Sequence, residues 1–181
     1  HVLGGSGRIA PSDKVTLGII GCGTQGIAEM LNLLSQEEVQ VVTVCDPNTQ
    51  STDYVEWGKN GRRRGIRRVL GPTWMEGVNG VHGGRELAKE IVETAYAKDS
   101  PSNGFKGCTT YADFRELLEK EKDLDGVQII TPDHTHAAIS IAAMNKGKHV
   151  VMHKPIANRA YEAKLVYETA VKTGVATHCK G

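Results

Sequence analysis

From Val15 onward the chain alternates short β-branched runs with segments whose apolar residues recur at helical spacing, the sequence form of repeated βαβ units. Parallel strands need a crossover, normally a helix, so a doubly wound α/β domain is predicted, with a mainly parallel sheet and helices on both faces. Strands are expected over residues 15–21, 39–46, 106–110, 126–131, 149–152 and 175–178. Between them, one helix carries Ile27, Met30, Leu31 and Leu34 on a single stripe, and a second has Phe114, Leu117 and Leu118 on one face. Further helices are expected over 135–146 and 158–172. The run at 39–46 is continuously apolar in its middle, as a strand covered on both faces should be. Residues 1–14 read as a lead-in, 15–181 as one domain, and 47–107 as a glycine-rich insertion with one helix over about 85–98.

Length and composition permit this. A chain of 181 residues, 39% hydrophobic and 24% charged, can bury a full sheet under two layers of helices. Lysine and arginine number 22 against 21 acidic residues, so no global field draws the chain to nucleic acid or an anionic membrane, and neither is expected as a partner. The apolar runs are strand-sized, far short of the roughly 18 residues a membrane helix needs. Cys22, Cys45, Cys108 and Cys179 show no CxxC spacing, so no disulfide framework or zinc site is signalled, and they read as small buried residues.

Gly21-Cys22-Gly23-Thr24-Gln25-Gly26 is a GxGxxG run placed directly after a strand and opening a helix, the context in which that pattern binds a dinucleotide. Gly21 would allow the tight turn, Gly23 would let a pyrophosphate approach the backbone, and Gly26 would let the helix pack closely on the strand. The amides of Thr24 and Gln25 then point at the anion along the helix dipole. Asp46 follows Gly26 by twenty residues at the end of the second strand, where an acid accepts hydrogen bonds from the adenosine ribose; Asp46-Pro47-Asn48 also reads as a turn. An acid there repels a 2′-phosphate, so NAD is favoured over NADP. Arg62, Arg63, Arg64, Arg67 and Arg68 could reach such a phosphate, or form a solvated loop between glycines.

All strands of a parallel sheet end at one edge, where ligands bind. Thr131, Pro132, Asp133, His134, Thr135 and His136 follow one strand, His153, Lys154 and Pro155 another, and His178 ends the last. Asp133 or Thr135 equally suits a helix cap. Asp133, His134 and His136 do not make a closed metal-ligand set, so no metal is expected. Lys154, between a strand end and a proline, is the sharpest candidate for chemistry.

Five segments in order carry a resemblance over residues 15–178: Ile19 to Gly26; Val44-Cys45-Asp46-Pro47; Tyr111 to Leu118; Ile130 to His136; and Gly147 to Pro155. Together they resemble the N-terminal, Rossmann-like domain of the glucose-fructose oxidoreductase and myo-inositol dehydrogenase (Gfo/Idh/MocA) family. The resemblance implies reversible hydride transfer between NAD(P) and a hydroxyl carbon of a sugar or polyol. It implies catalytic roles for Lys154 and His136. It implies cofactor contacts from Gly21, Gly23, Thr24, Gln25, Gly26, Asp46, Thr131, Pro132, Asp133, His136, His153 and Lys154. His153 departs from the family's glutamate before the lysine. The insertion resembles exported members of the family, which leaves a cytoplasmic and an exported location both open. Members continue into a substrate-binding domain that these residues lack, so the resemblance implies cofactor binding without efficient turnover. It also implies a monomer or weak dimer here and a homo-oligomer for a full-length protein. A glycoside hydrolase using bound NAD and a non-catalytic nucleotide module stand as alternatives.

Overall fold

Six extended segments pair edge to edge in the order β3-β2-β1-β4-β5-β6. The structure, a computed structural model, describes residues 9, 13–55, 61–99, 105 and 107–181. Most of the lead-in, and Lys106 of the expected third strand, lie outside the described residues. The strands are β1 (Val15–Ile20), β2 (Val39–Cys45), β3 (Thr109–Tyr111), β4 (Gly126–Ile129), β5 (His149–His153) and β6 (Thr177–Lys180). The helices are α1 (Thr24–Leu33), α2 (Gly61–Leu70), α3 (Arg85–Asp99), α4 (Phe114–Lys120), α5 (His136–Asn145) and α6 (Ala160–Thr173). Every pairing within the sheet is parallel. The order reverses between β1 and β4, and the crevice beyond their C-terminal ends is where doubly wound sheets hold ligands.

Strand alternation divides the core into two layers. Ile19, Val41 and Val44 lie under Ile27 and Met30 of α1, Ile66 of α2, and Ile91 and Val92 of α3. Ile20, Val127, Ile129, Val150 and Met152 lie under Leu117 of α4, Ile139 and Met144 of α5, and Val166 of α6. The register between β1 and β2 shifts at Leu17 and Gly18, passing over Val42, which is why Val41 and Val44 share a face.

The insertion differs from expectation. Its described residues hold two helices, and the arginine cluster is one of them, α2. Arginine is a good helix former, and Ile66 is buried in the core with Val69 and Leu70 packed against it. Gly65 permits the close approach to α1, since a Cβ there would lie 2.9 Å from Leu31 Cδ1. Arg62 donates to the His82 carbonyl, Arg63 to Val78 and Gly80 at 3.0 and 3.2 Å, and Arg67 to Trp74 at 3.0 Å. Arg62, Arg63 and Arg67 thus supply donors that segment 74–82 cannot find in a ladder, and the cluster is helical rather than a solvated loop. The last strand lies two residues later than expected, placing His178 in the exposed middle of β6 rather than at its end.

Candidate functional site

Gly21 stands at φ +100°, and a Cβ there would lie 2.2 Å from the Ile130 carbonyl oxygen. Only glycine turns the chain out of β1 while letting the backbone beyond β4 pass so close. A Cβ at Gly26 would lie 1.9 Å from the Gly21 carbonyl oxygen, which holds the first turn of α1 against the loop. Gly23 is the N-cap; it makes no side-chain cap, and the first turn carries no acid. Among the described residues no side-chain acceptor serves the amides opening α1, which fits a phosphate anion.

Asp46 closes β2 and is 7% exposed. Its Oδ2 accepts from Cys22 N at 2.7 Å and its Oδ1 from Asn48 N at 2.8 Å, so the expected turn and the expected acid are one feature. Each oxygen keeps a lone pair for a further donor. Arg85 fixes this corner, donating to the Asp46 and Pro47 carbonyls at 3.1 and 2.9 Å and to Thr49 Oγ1 at 2.7 Å.

At the other half of the edge, Thr131 is half-buried and Pro132 and Asp133 are exposed, the latter opening a 3-10 turn, Asp133–Thr135. Neither Asp133 nor Thr135 caps α5 through its side chain. The Thr135 hydroxyl instead donates to the Pro132 carbonyl and meets Thr131 Oγ1, both at 2.7 Å. His153 ends β5 half-buried. Lys154 is exposed; its amide donates to the Lys180 carbonyl at 3.0 Å, and no described residue pairs with its ammonium.

His136 lies deeper than an edge residue was expected to. It is 0% exposed, with Nδ1 2.6 Å from the Pro155 carbonyl oxygen and Nε2 2.8 Å from that of Thr131. The ring thereby braces the segment after β4 against the segment after β5. Gly21, Gly23, Thr24, Gln25, Gly26 and Asp46 follow β1 and β2, and Thr131 to Asp133, His153 and Lys154 follow β4 and β5, all at the same edge of the sheet, with Thr131 N 3.0 Å from where a Gly21 Cβ would lie. Among the described residues no group of three or more histidine, cysteine or acidic side chains could hold a metal ion.

One polar cluster escaped the sequence reading. Glu29 of α1, buried, accepts from Gln25 Nε2 at 2.9 Å and pairs with Lys180 at the end of β6. Burial raises the Glu29 carboxyl, but the Lys180 and Gln25 hydrogen bonds and the Lys180 and His153 charges outweigh it and hold the group below its ordinary value. An acid from α1 thus faces the position where His153 replaces the family's glutamate. The spacing of Gln25 and Glu29 on α1 was the available signal; Lys180 was hidden by the misplaced last strand. Cys22, Cys45 and Cys108 are buried and free, and burial pushes the Cys45 and Cys108 thiols up to about 12, which leaves them unreactive.

A family model for oxidoreductases with an NAD-binding Rossmann fold (Gfo/Idh/MocA) matches residues 82–180. The chain belongs to this family. A levoglucosan dehydrogenase from Pseudarthrobacter phenanthrenivorans is 40% identical over 88 residues, 49% of this chain and 22% of that protein. A glycosyl hydrolase family 109 protein from Shewanella putrefaciens is 26% identical over 168 residues, 92% of this chain and 28% of that one. The chain therefore spans roughly a quarter of the length of these relatives. Among solved structures, myo-inositol 2-dehydrogenase from Lactobacillus plantarum superposes with a TM-score of 0.58 at 18% identity, covering 92% of this chain and 36% of that one. Scyllo-inositol dehydrogenase from Lactobacillus casei, with NAD(H) and scyllo-inositol bound, gives 0.56 at 15% identity, covering 92% and 36%. At these identities the likeness is one of fold. The domain is the NAD-binding Rossmann domain of the Gfo/Idh/MocA family.

Proposed function

We propose that this domain binds NAD in preference to NADP and serves a protein that moves hydride between the nicotinamide and a hydroxyl carbon of a sugar or polyol. The observation that carries the reading is Asp46, buried at the end of β2 and bonded directly to the amide of Cys22 in the glycine loop. One carboxylate links the phosphate end of the crevice to the ribose end, and its charge opposes a 2′-phosphate. Gly21, Gly23 and Gly26 shape the pyrophosphate seat, and the Thr24 and Gln25 amides face the anion. Thr131, Pro132, Asp133, His153 and Lys154 border the nicotinamide end.

When bound, the nicotinamide takes up or gives back the hydride. The chain's residues do the rest. Lys154, exposed and without an ion-pair partner among the described residues, polarises the substrate oxygen and assists its proton. His136 is a positioning residue, holding the Pro155 carbonyl against the loop after β4 and so fixing where Lys154 stands. His153 lacks the carboxylate of the family's glutamate but can donate a hydrogen bond to a ribose hydroxyl.

A dehydrogenase and an NAD-dependent glycoside hydrolase would share this half, and the alignment with a family 109 protein over 92% of the chain gives the second reading its support. Net accumulation of NADH with a polyol, measured on the whole protein, favours the first; hydrolysis of a glycoside with no net NADH favours the second. The test of the domain itself is calorimetric titration with NAD and NADP, comparing the wild type with Asp46→Ala. A fall in the ratio of NAD to NADP affinity in the variant supports the reading, and failure of both nucleotides to bind the wild type overturns it.

A further inference from the structure

Residues 51–55 run as a strap beside the glycine loop. Ser51 and Gly83 exchange backbone hydrogen bonds of 3.0 Å, Tyr54 N donates to the Val81 carbonyl at 3.3 Å, and Val81 N donates to Thr52 at 2.9 Å. The Thr24 hydroxyl, at the start of α1, donates to the Val55 carbonyl at 2.6 Å. Gly84 N donates to the Cys22 carbonyl at 2.9 Å, docking the far side of the strap on the loop.

Tyr54 lies between two glycines. A Cβ at Gly23 would stand 3.0 Å from its Cε1, and a Cβ at Gly83 2.6 Å from its Cε2. The phenol oxygen accepts from Asn48 Nδ2 at 2.9 Å. Burial and the Asp46 carboxylate beside it raise the phenol above its ordinary value, against the Asn48 bond. One side chain therefore spans from Gly23 to Asn48, whose own amide donates to Asp46 Oδ1 at 2.8 Å. In a loop of this kind the second glycine admits the pyrophosphate, and the acid at the end of β2 receives ribose hydroxyls. Tyr54 fills the first position with its ring edge and puts its hydroxyl near the second.

We infer that Tyr54 is a built-in competitor of the dinucleotide. With the strap in place its ring occupies the pyrophosphate approach and its phenol takes the place of a ribose hydroxyl near Asp46. Seating the nucleotide requires the strap to withdraw, breaking the Thr24–Val55 and Asn48–Tyr54 hydrogen bonds. Thr24 links the two states, because the hydroxyl that ties down Val55 is the one freed to donate to a phosphate oxygen. The measured affinity is then the intrinsic affinity reduced by the fraction of molecules with the strap withdrawn. This rests on the reading of residues 21–26 and 46 as the dinucleotide site.

The test is NAD titration of the wild type, Tyr54→Ala, Tyr54→Phe and Asp46→Ala, with hydrogen exchange on the wild type as an independent readout. Tyr54→Ala is expected to bind NAD about tenfold tighter, with Tyr54→Phe between it and the wild type. NAD is expected to speed exchange at the Tyr54, Val81 and Gly83 amides about tenfold, because their strap bonds open as ligand binds. If Tyr54→Ala binds no tighter and those amides are unchanged or protected while Asp46→Ala loses binding, the site stands and the competitor falls. If the wild type and both Tyr54 variants fail to bind NAD, the reading of the site falls and takes the competitor with it.

Discussion

The three glycines of the loop are equivalent in the motif but not in the structure, and substituting each by alanine should separate folding from binding. At Gly21 the φ of +100° costs an alanine about 1–2 kcal/mol, and its Cβ would lie 2.2 Å from the backbone oxygen of Ile130, which cannot rotate aside. Adding overpacking of about 1–3 kcal/mol gives a loss of about 3 kcal/mol. At Gly26 the helix itself favours alanine by about 1 kcal/mol. That gain is offset by the cost of a Cβ placed 1.9 Å from the Gly21 carbonyl oxygen, so α1 must shift and up to about 2 kcal/mol is lost. Gly23 has an ordinary φ of −77°, and the nearest obstacle is the Tyr54 ring at 3.0 Å, which can yield; the loss is at most about 1 kcal/mol. Urea unfolding followed by far-ultraviolet dichroism gives the three stabilities, and NAD titration the three affinities. The expected pattern is two unstable variants and one stable one, with NAD binding weakened in all three. A Gly23→Ala variant as unstable as Gly21→Ala would refute this account of the loop.

Three further outcomes follow from the same geometry. His136→Ala should cost about 3 kcal/mol, because a fully buried ring that spans the Thr131 and Pro155 carbonyls is lost together with its hydrogen bond, and the Lys154 amide should exchange faster; a loss under about 1 kcal/mol in urea unfolding would dismiss the brace. Lys154→Ala should leave stability within about 0.5 kcal/mol, since the residue is exposed. In the whole protein it should lower kcat by about a hundredfold or more, and unaltered turnover would remove Lys154 from the chemistry. Glu29 has its folded value depressed, so its contribution is present above the ordinary carboxylate range and is lost as pH falls through the folded value. Glu29→Gln should therefore be less stable than the wild type at neutral pH and converge on it in acid, and parallel pH profiles of the urea midpoint would contradict this.

The sheet was legible because its signals are local: β-branched runs, a helical stripe through Ile27 and Met30, and glycines whose spacing matches a turn into α1. Asp46 was legible because a fixed strand length carries it to the edge. The parts that were not legible depend on groups far apart in sequence. Helix α2 was hidden because Gly61 and Gly65 lower its apparent helicity, and its anchor, Ile66, is identified only by the α1 and α3 side chains it meets. His136 read as a ligand-edge residue because its position after β4 is right; that its two nitrogens are taken up depends on Pro155, reached through another strand. Tyr54 gave no signal at all, since its meaning lies in Gly23 and Gly83, on opposite sides of it.

Asp46 shows why the cofactor experiment needs NADP beside NAD. Its carboxylate already holds the Cys22 and Asn48 amides at 2.7 and 2.8 Å, so Asp46→Ala removes two structural bonds along with any ribose contact. Leaving two backbone donors without an acceptor costs about 1–3 kcal/mol each if they stay buried, and the loop would loosen whether or not a ribose ever touched the acid. Weakened NAD binding alone would then be ambiguous. Loop damage lowers affinity for both nucleotides alike, because both share the pyrophosphate. Loss of a charge facing the ribose penalises NAD and relieves NADP, whose 2′-phosphate no longer meets an anion. The expected result is a fall in the ratio of NAD to NADP affinity of at least about tenfold, one factor of ten being about 1.4 kcal/mol. An unchanged ratio with both affinities reduced would assign Asp46 to the architecture of the loop and withdraw it from nucleotide selection.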